Sequence, residues 1–188
     1  GRSRCGIMPH RNSISVCRRI LQKRDDRKQG AENPPKNKNL KKDWRRRMKY
    51  CFGVDIGGTT VKMGLFAENG DIRDKWEIVT KTEDEGKAIL PDVAAAISGK
   101  MEEHHLTKED IKGIGVGVPA PVTAEGVVNG SANLGWKYKE AKKELEELTG
   151  MKATFGNDAN VAALGEMWKG GGAGCKNLVM VTLGTGVG

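Results

Sequence analysis

The chain has 188 residues and a net charge of +8, the size of one domain or two small ones. The charge is segregated: residues 1–49 hold 17 Lys and Arg against 4 Asp and Glu, whereas residues 50–188 hold 15 against 20, so the folded part is expected to be mildly acidic. Four cysteines without a Cys-x-x-Cys pair exclude a disulfide framework and a zinc cluster, and no run of 18 apolar residues offers a membrane span.

The leader, residues 1–47, reads as a disordered basic extension. Pro34 and Pro35 interrupt it, asparagines surround them, and apolar residues are sparse after Leu21. A nucleic-acid-binding arm would place Arg45, Arg46 and Arg47 on phosphates. A helix-turn-helix needs two periodic helices, and only residues 14–21 offer one. A transit peptide would use the arginines of residues 2–24. The chain opens on Gly1, and Met48 stands directly before the first strand, which favours an upstream or vector-derived extension.

Residues 51–66 read Cys-Phe-Gly-Val-Asp-Ile-Gly-Gly-Thr-Thr-Val-Lys-Met-Gly-Leu-Phe. Val54 and Ile56 alternate around Asp55, which predicts a buried strand. Gly57 and Gly58 supply a tight turn, Thr59 and Thr60 add hydroxyls, and a second strand follows. Such a turn offers N–H groups and hydroxyls to an anion, with Asp55 placed to meet an accompanying cation. The alternative is a plain glycine hairpin with a structural aspartate.

Asn69-Gly70 predicts a turn into a third strand over residues 72–80. A helix is expected within residues 85–103, with Pro91 near its first turn and Val93, Ala94, Ile97 and Met101 on its apolar stripe. His104 and His105, in a charged stretch, are expected to face water. Residues 111–118 alternate Ile114, Val116 and Val118 with Gly113, Gly115 and Gly117, which predicts a central strand packed closely by another element.

Pro119-Ala120-Pro121 opens a loop. Asn129-Gly130 predicts a turn, and Asn133 to Trp136 ends the loop, lining a small polar ligand or serving only as turn residues. Residues 137–148 read as an amphipathic helix marked by Ala141, Leu145 and Leu148, with Gly150 as C-cap. A short strand over 152–155 leads to Asn157-Asp158 and a helix over 161–168. Asp158 there is an N-cap or a first-turn carboxylate. Residues 177–183 predict a strand, and the chain stops on a second glycine–threonine turn, Gly184-Thr185-Gly186. Neither turn is a P-loop, and Gly-x-Gly-x-x-Gly is absent.

With both turns and Asn157-Asp158 on the page, residues 48–188 resemble the ROK family of repressors and sugar kinases, glucokinases above all. The match covers only the amino-terminal half of such proteins. It implies an α/β, actin-like ATPase or ribonuclease-H-like fold, with a small kinase domain over 48–120 and an incomplete second domain over 121–188. It implies that Asp55, Gly57, Gly58, Thr59 and Thr60 form the first phosphate motif, with Asp55 near Mg²⁺, and that Gly184, Thr185 and Gly186 begin the second. Asn133, Asn157 and Asp158 match sugar-contacting positions, and Asp158 matches the catalytic base. Ala120 stands where the family has glycine, so its methyl is expected to crowd the sugar loop or alter its dihedrals; Thr123 replaces a common aspartate.

The implied function is transfer of the ATP γ-phosphoryl group to the 6-hydroxyl of glucose, in the cytoplasm, by a homo-oligomer that uses Mg²⁺. Structural zinc would come from residues that follow in the family; none here matches a zinc ligand. The chain by itself is expected to be a partial, inactive fragment. Alternatives are a kinase for another hexose or an N-acetylhexosamine, and a sugar-responsive repressor. Nucleic acid and membrane are not expected partners.

Overall fold

The structure, a computed structural model, describes residues 48–181. The basic leader and the second turn at Gly184, Thr185 and Gly186 lie outside the described residues. Strands β1 (Tyr50–Ile56), β2 (Thr60–Ala67) and β3 (Ile72–Val79) pair antiparallel in sequence order. The turn before β3 closes with Gly70 at φ 85°, a conformation that glycine adopts without a Cβ clash. Helix α1 (Ile89–Glu103) then carries the chain back, so β4 (Ile111–Val118) lies parallel to β1.

A hairpin of β5 (Val128–Ser131) and β6 (Trp136–Lys139) follows, then α2 (Ala141–Thr149), β7 (Ala153–Asn157) and α3 (Asp158–Lys169). Strand β7 joins the first sheet beside β4, giving the order β3-β2-β1-β4-β7. The division expected between residues 120 and 121 therefore falls inside one sheet. Ala153 and Phe155 share a core with Phe52 and Ile114, so that boundary separates no two cores.

Side chains alternate across a sheet, and here the two faces differ sharply. Phe52, Val54 and Ile56, with Ile114, Val116 and Val118, pack against Ile89, Val93 and Ile97 of α1 and Leu145 of α2. Fully burying a Val, Ile, Leu or Phe side chain stabilises the fold by about 1.5–3 kcal/mol. The opposite face carries the glycines: Gly53 lies between Gly64 and Gly115, and Gly117 lies between Asp55 and Gly156. Helix α3 packs on β4 and β7. A Cβ on Gly156 would stand 2.8 Å from Val161 Cγ2, which is why this strand needs glycine under the helix. The glycine strand β4 thus has α3 packed on it, as the sequence predicts, although the closest approach is at Gly156 of β7.

Several local expectations are refined or corrected. Helix α1 lies within the expected residues 85–103 and starts at Ile89, after Asp84, Glu85 and Gly86 take left-handed φ of 52°, 58° and 65°. Asn129-Gly130 lies within β5, where Asn129 faces Tyr138; the chain reverses at Ala132–Leu134, closed by Gly135 at φ 71°. Residues 136–139 are strand, held opposite β5, so α2 begins only at Ala141. Leu148 is 47% exposed and Thr149 takes the buried place one residue later, while Gly150 caps the helix as expected. His104 is half-buried, with Nε2 3.0 Å from Asp74 Oδ2, instead of facing water. Residues 177–181 form no strand; among the described residues no neighbour pairs with them. Among these residues no helix is long and apolar enough to cross a membrane.

Candidate active site

Strands β1, β4 and β7 are mutually parallel, so their carboxyl ends lie side by side. In open α/β sheets ligands bind beyond such ends. Asp55 occupies this edge on β1, half-buried, and Gly117 is its register partner on β4. Asp158 begins α3 immediately after β7. A Cβ placed on Gly117 would lie 3.7 Å from Asp55 Oδ1 and 3.9 Å from Asp158 Cβ. The Asp55 carboxylate and the backbone and Cβ of Asp158 therefore converge on Gly117, where a Cβ would make only ordinary contacts.

Asn157, not Asp158, caps α3. Its Oδ1 accepts from the Asn160 N–H at 3.2 Å. Its Nδ2 donates to Ala120 O at 3.4 Å and to Asp158 Oδ1 at 3.1 Å. Asp158 Oδ1 also accepts from the Ala159 N–H at 2.7 Å. Asn157 thus ties the proline loop, the helix start and the Asp158 carboxylate together, and Asp158 is not required as the cap. The positive end of the α3 dipole favours a carboxylate at this place.

The turn between β1 and β2 closes through the Gly57 N–H to Thr60 O at 3.1 Å. A Cβ on Gly57 would approach Thr60 O to 2.9 Å, so the turn demands glycine there. Thr80, at the end of β3, holds the turn from the other side: its Oγ1 donates to Gly57 O at 2.7 Å and its N–H to Thr59 O at 2.9 Å. A Cβ on Gly58 would stand 3.1 Å from Asn133 O, which brings the expected phosphate turn against the expected sugar loop.

That loop is braced from behind. Trp136 Nε1 donates to Gly86 O at 3.1 Å, both buried, and a Cβ on Gly135 would stand 3.1 Å from Thr82 O. Lys137 Nζ lies 2.7 Å from Glu85 Oε1, and this ammonium holds the Glu85 carboxyl below its usual range. Ala120, expected to crowd this loop or alter its dihedrals, shows no left-handed backbone. It is 4% exposed, and its methyl belongs to the core.

The sequence thus supplies Asp55, Gly57, Gly58, Thr59, Thr60, Asn133, Asn157 and Asp158, and the fold gathers them at one sheet edge. It gives Thr80 no place at the site, and it names Gly117 only as a strand glycine and Trp136 only as part of the loop. For Gly117 a signal existed in the glycine alternation of β4; for Thr80, a lone threonine at a strand end, there was none.

Residues 51–188 match the family model described as ROK family. The chain belongs to the ROK family. Similar relatives include the glucokinase of Halalkalibacterium halodurans, 45% identical over 141 residues, covering 74% of this chain and 43% of that protein. The glucokinase of Streptomyces coelicolor is 35% identical over 142 residues, covering 75% and 43%. Among solved structures, the ROK family glucokinase of Streptomyces griseus, in complex with glucose and AMPPNP, superposes with a TM-score of 0.64 at 33% identity, covering 74% of this chain and 43% of that one. This ROK chain therefore has the mixed α/β fold of the family's sugar kinases, and it spans about 43% of the length of the curated relatives it matches.

Proposed function

We propose that this chain carries the phosphate turn, the base and part of the sugar site of an ATP-dependent hexose kinase that phosphorylates the 6-hydroxyl of glucose. The observation that carries this reading is the meeting of Asp55 and Asp158 at Gly117, beside the Gly57–Thr60 turn and the Asn133 loop. Two aspartates converging on one glycine suit a reaction with two distinct needs, a proton acceptor and a partner for a phosphate-bound cation. Kinship to glucokinases supports glucose as the sugar.

A sugar hydroxyl is a poor nucleophile until its proton has a destination, and Asp158 takes that proton as the new P–O bond forms. Asn157 and the Ala159 N–H fix the orientation of the carboxylate. Backbone donors of the turn, with Thr59 and Thr60, hold phosphate oxygens. The donor set also fits Mg²⁺, a hard cation that prefers carboxylate oxygen: Asp55 stands half-buried at the strand end next to the turn. When bound, Mg²⁺ supplies charge neutralisation on the phosphates. Asn133 and Asn157 contribute to the sugar pocket. Gly184, Thr185 and Gly186 supply the second phosphate turn in this reading. The small domain extends from Met48 through α3, and the complete enzyme is a homo-oligomer.

The test is a chimera in which residues 51–188 replace the matching part of the H. halodurans glucokinase, assayed for glucose 6-phosphate and then with mannose, fructose and N-acetylhexosamines. Glucose turnover that depends on Asp158 supports the reading. A folded chimera that phosphorylates another sugar in preference overturns the choice of glucose, and one that phosphorylates none overturns the kinase.

A further inference from the structure

Thr80 lies outside every motif that the sequence offers, yet it is the residue that grips the glycine turn. It is 7% exposed at the end of β3. A buried hydroxyl needs a partner, and Thr80 Oγ1 finds one in Gly57 O at 2.7 Å. Its backbone N–H takes Thr59 O at 2.9 Å. One residue therefore binds a carbonyl on each side of Gly58.

The direction of these bonds matters. In a trans peptide the C=O and the N–H that follows point opposite ways. Pulling Gly57 O toward Thr80 sends the Gly58 N–H away from Thr80. Pulling Thr59 O the same way sends the Thr60 N–H away as well. A glycine pair would otherwise sample many peptide orientations, since glycine has the widest backbone freedom. Thr80 removes that freedom for the peptide that precedes Gly58.

We infer that Thr80 is a positioning residue for anion binding: its hydroxyl fixes the Gly57–Gly58 peptide so that the Gly58 N–H faces a bound phosphate. The inference rests on reading this turn as a phosphate site. Thr80 does not touch the phosphate; it acts through the peptide. The hydroxyl is the working group, because valine keeps the shape and the backbone bond and removes only the bond to Gly57 O. Losing a preorganised donor is expected to weaken phosphate binding by about tenfold, the scale of one hydrogen bond.

The test follows the amide resonances of Gly58 and Thr59 in the isotope-labelled 188-residue chain during titration with Mg-ATP, which reads dissociation constants into the millimolar range. The wild type is expected to shift saturably. Thr80→Val is expected to bind about tenfold more weakly and to unfold at a modestly lower Tm, since Gly57 O loses its bond, and Thr80→Ser to restore affinity to within about threefold, because serine returns the hydroxyl. Rescue by serine separates this role from simple packing, for which valine is the better substitute. Should Thr80→Val fail to fold, Thr80→Ala removes the hydroxyl without adding an apolar branch and is read the same way. Equal affinity in wild type and the hydroxyl-free variant overturns the role of Thr80 while leaving the phosphate site standing. A wild type whose turn does not respond to Mg-ATP overturns the phosphate reading of the turn, and the role of Thr80 with it.

Discussion

Asp55 and Asp158, 103 positions apart in the chain, both come within 3.9 Å of the point where Gly117 lacks a Cβ. The register of β4 against β1 and of β7 against β4 brings them there. Gly117→Ala tests what this convergence is for. Its new methyl would meet only ordinary contacts, 3.6 Å or more, and its backbone requires no positive φ. The variant is expected to fold with a Tm near wild type. In the glucokinase chimera it is expected to lose at least about tenfold in kcat, because a small displacement at a reacting centre is costly. Full activity in Gly117→Ala would remove this glycine from the reaction.

Asp158→Asn keeps an oxygen to accept from the Ala159 N–H and the Asn157 amide, but it cannot take a proton. In the chimera kcat is expected to fall by roughly 10²–10⁴ while glucose affinity changes little. Steady-state rates and equilibrium sugar binding, measured on the same preparation, check this. Near-normal kcat would leave Asp158 a first-turn carboxylate and nothing more.

Asn157 separates stability from activity. Asn157→Ala removes the α3 cap and is expected to cost about 1 kcal/mol in urea unfolding. Asn157→Asp keeps a capping oxygen and favours the helix dipole, so its stability is expected to stay near wild type. It cannot donate to Ala120 O or to Asp158 Oδ1, and it places a second carboxylate beside the first. Its activity in the chimera is therefore expected to fall as far as that of Asn157→Ala, or further.

Ala120→Gly restores the residue that the family pattern suggests. Since the Ala120 methyl is buried in the core and its backbone is unstrained, the change is expected to destabilise by about 1–2 kcal/mol, from a lost buried methyl and added chain entropy. Sugar affinity is expected to stay unchanged. Tighter glucose binding by Ala120→Gly would show that the methyl does intrude on the loop.

Asp74 sets an acid limit to stability. The Lys100 ammonium at 2.8 Å, then the hydrogen bond to His104, lower its pKa from 3.8 to about 2. The folded form thus holds this proton less tightly than the unfolded chain. The resulting stability is complete above about pH 4 and is lost as pH falls toward 2. Thermal unfolding between pH 5 and 2 is expected to show a steeper loss in wild type than in Asp74→Asn. Parallel curves would show that the Asp74 cluster adds nothing in acid.

The sequence by itself determined the elements whose signal is local. Alternation around Asp55 marked β1, Gly57-Gly58 marked the turn, and Gly150 marked the end of α2. The glycine–threonine turn with Asp55 could be read from its own residues as an anion site, whereas Asn133, Asn157 and Asp158 were named as site residues only through the resemblance to the ROK family. Tertiary structure alone decided the rest. Residues 137–139 read as the start of a helix but are strand because β5 lies opposite, and residues 177–181 have strand composition but no partner among the described residues. Whether a strand forms depends on hydrogen bonds to a distant segment, which local composition does not encode. The same holds for the site. Thr80, Gly117 and Asp158 reach their neighbours only when β3 lies against β2 and β7 lies against β4, since a hydroxyl or an absent Cβ acts on whatever the fold brings within reach.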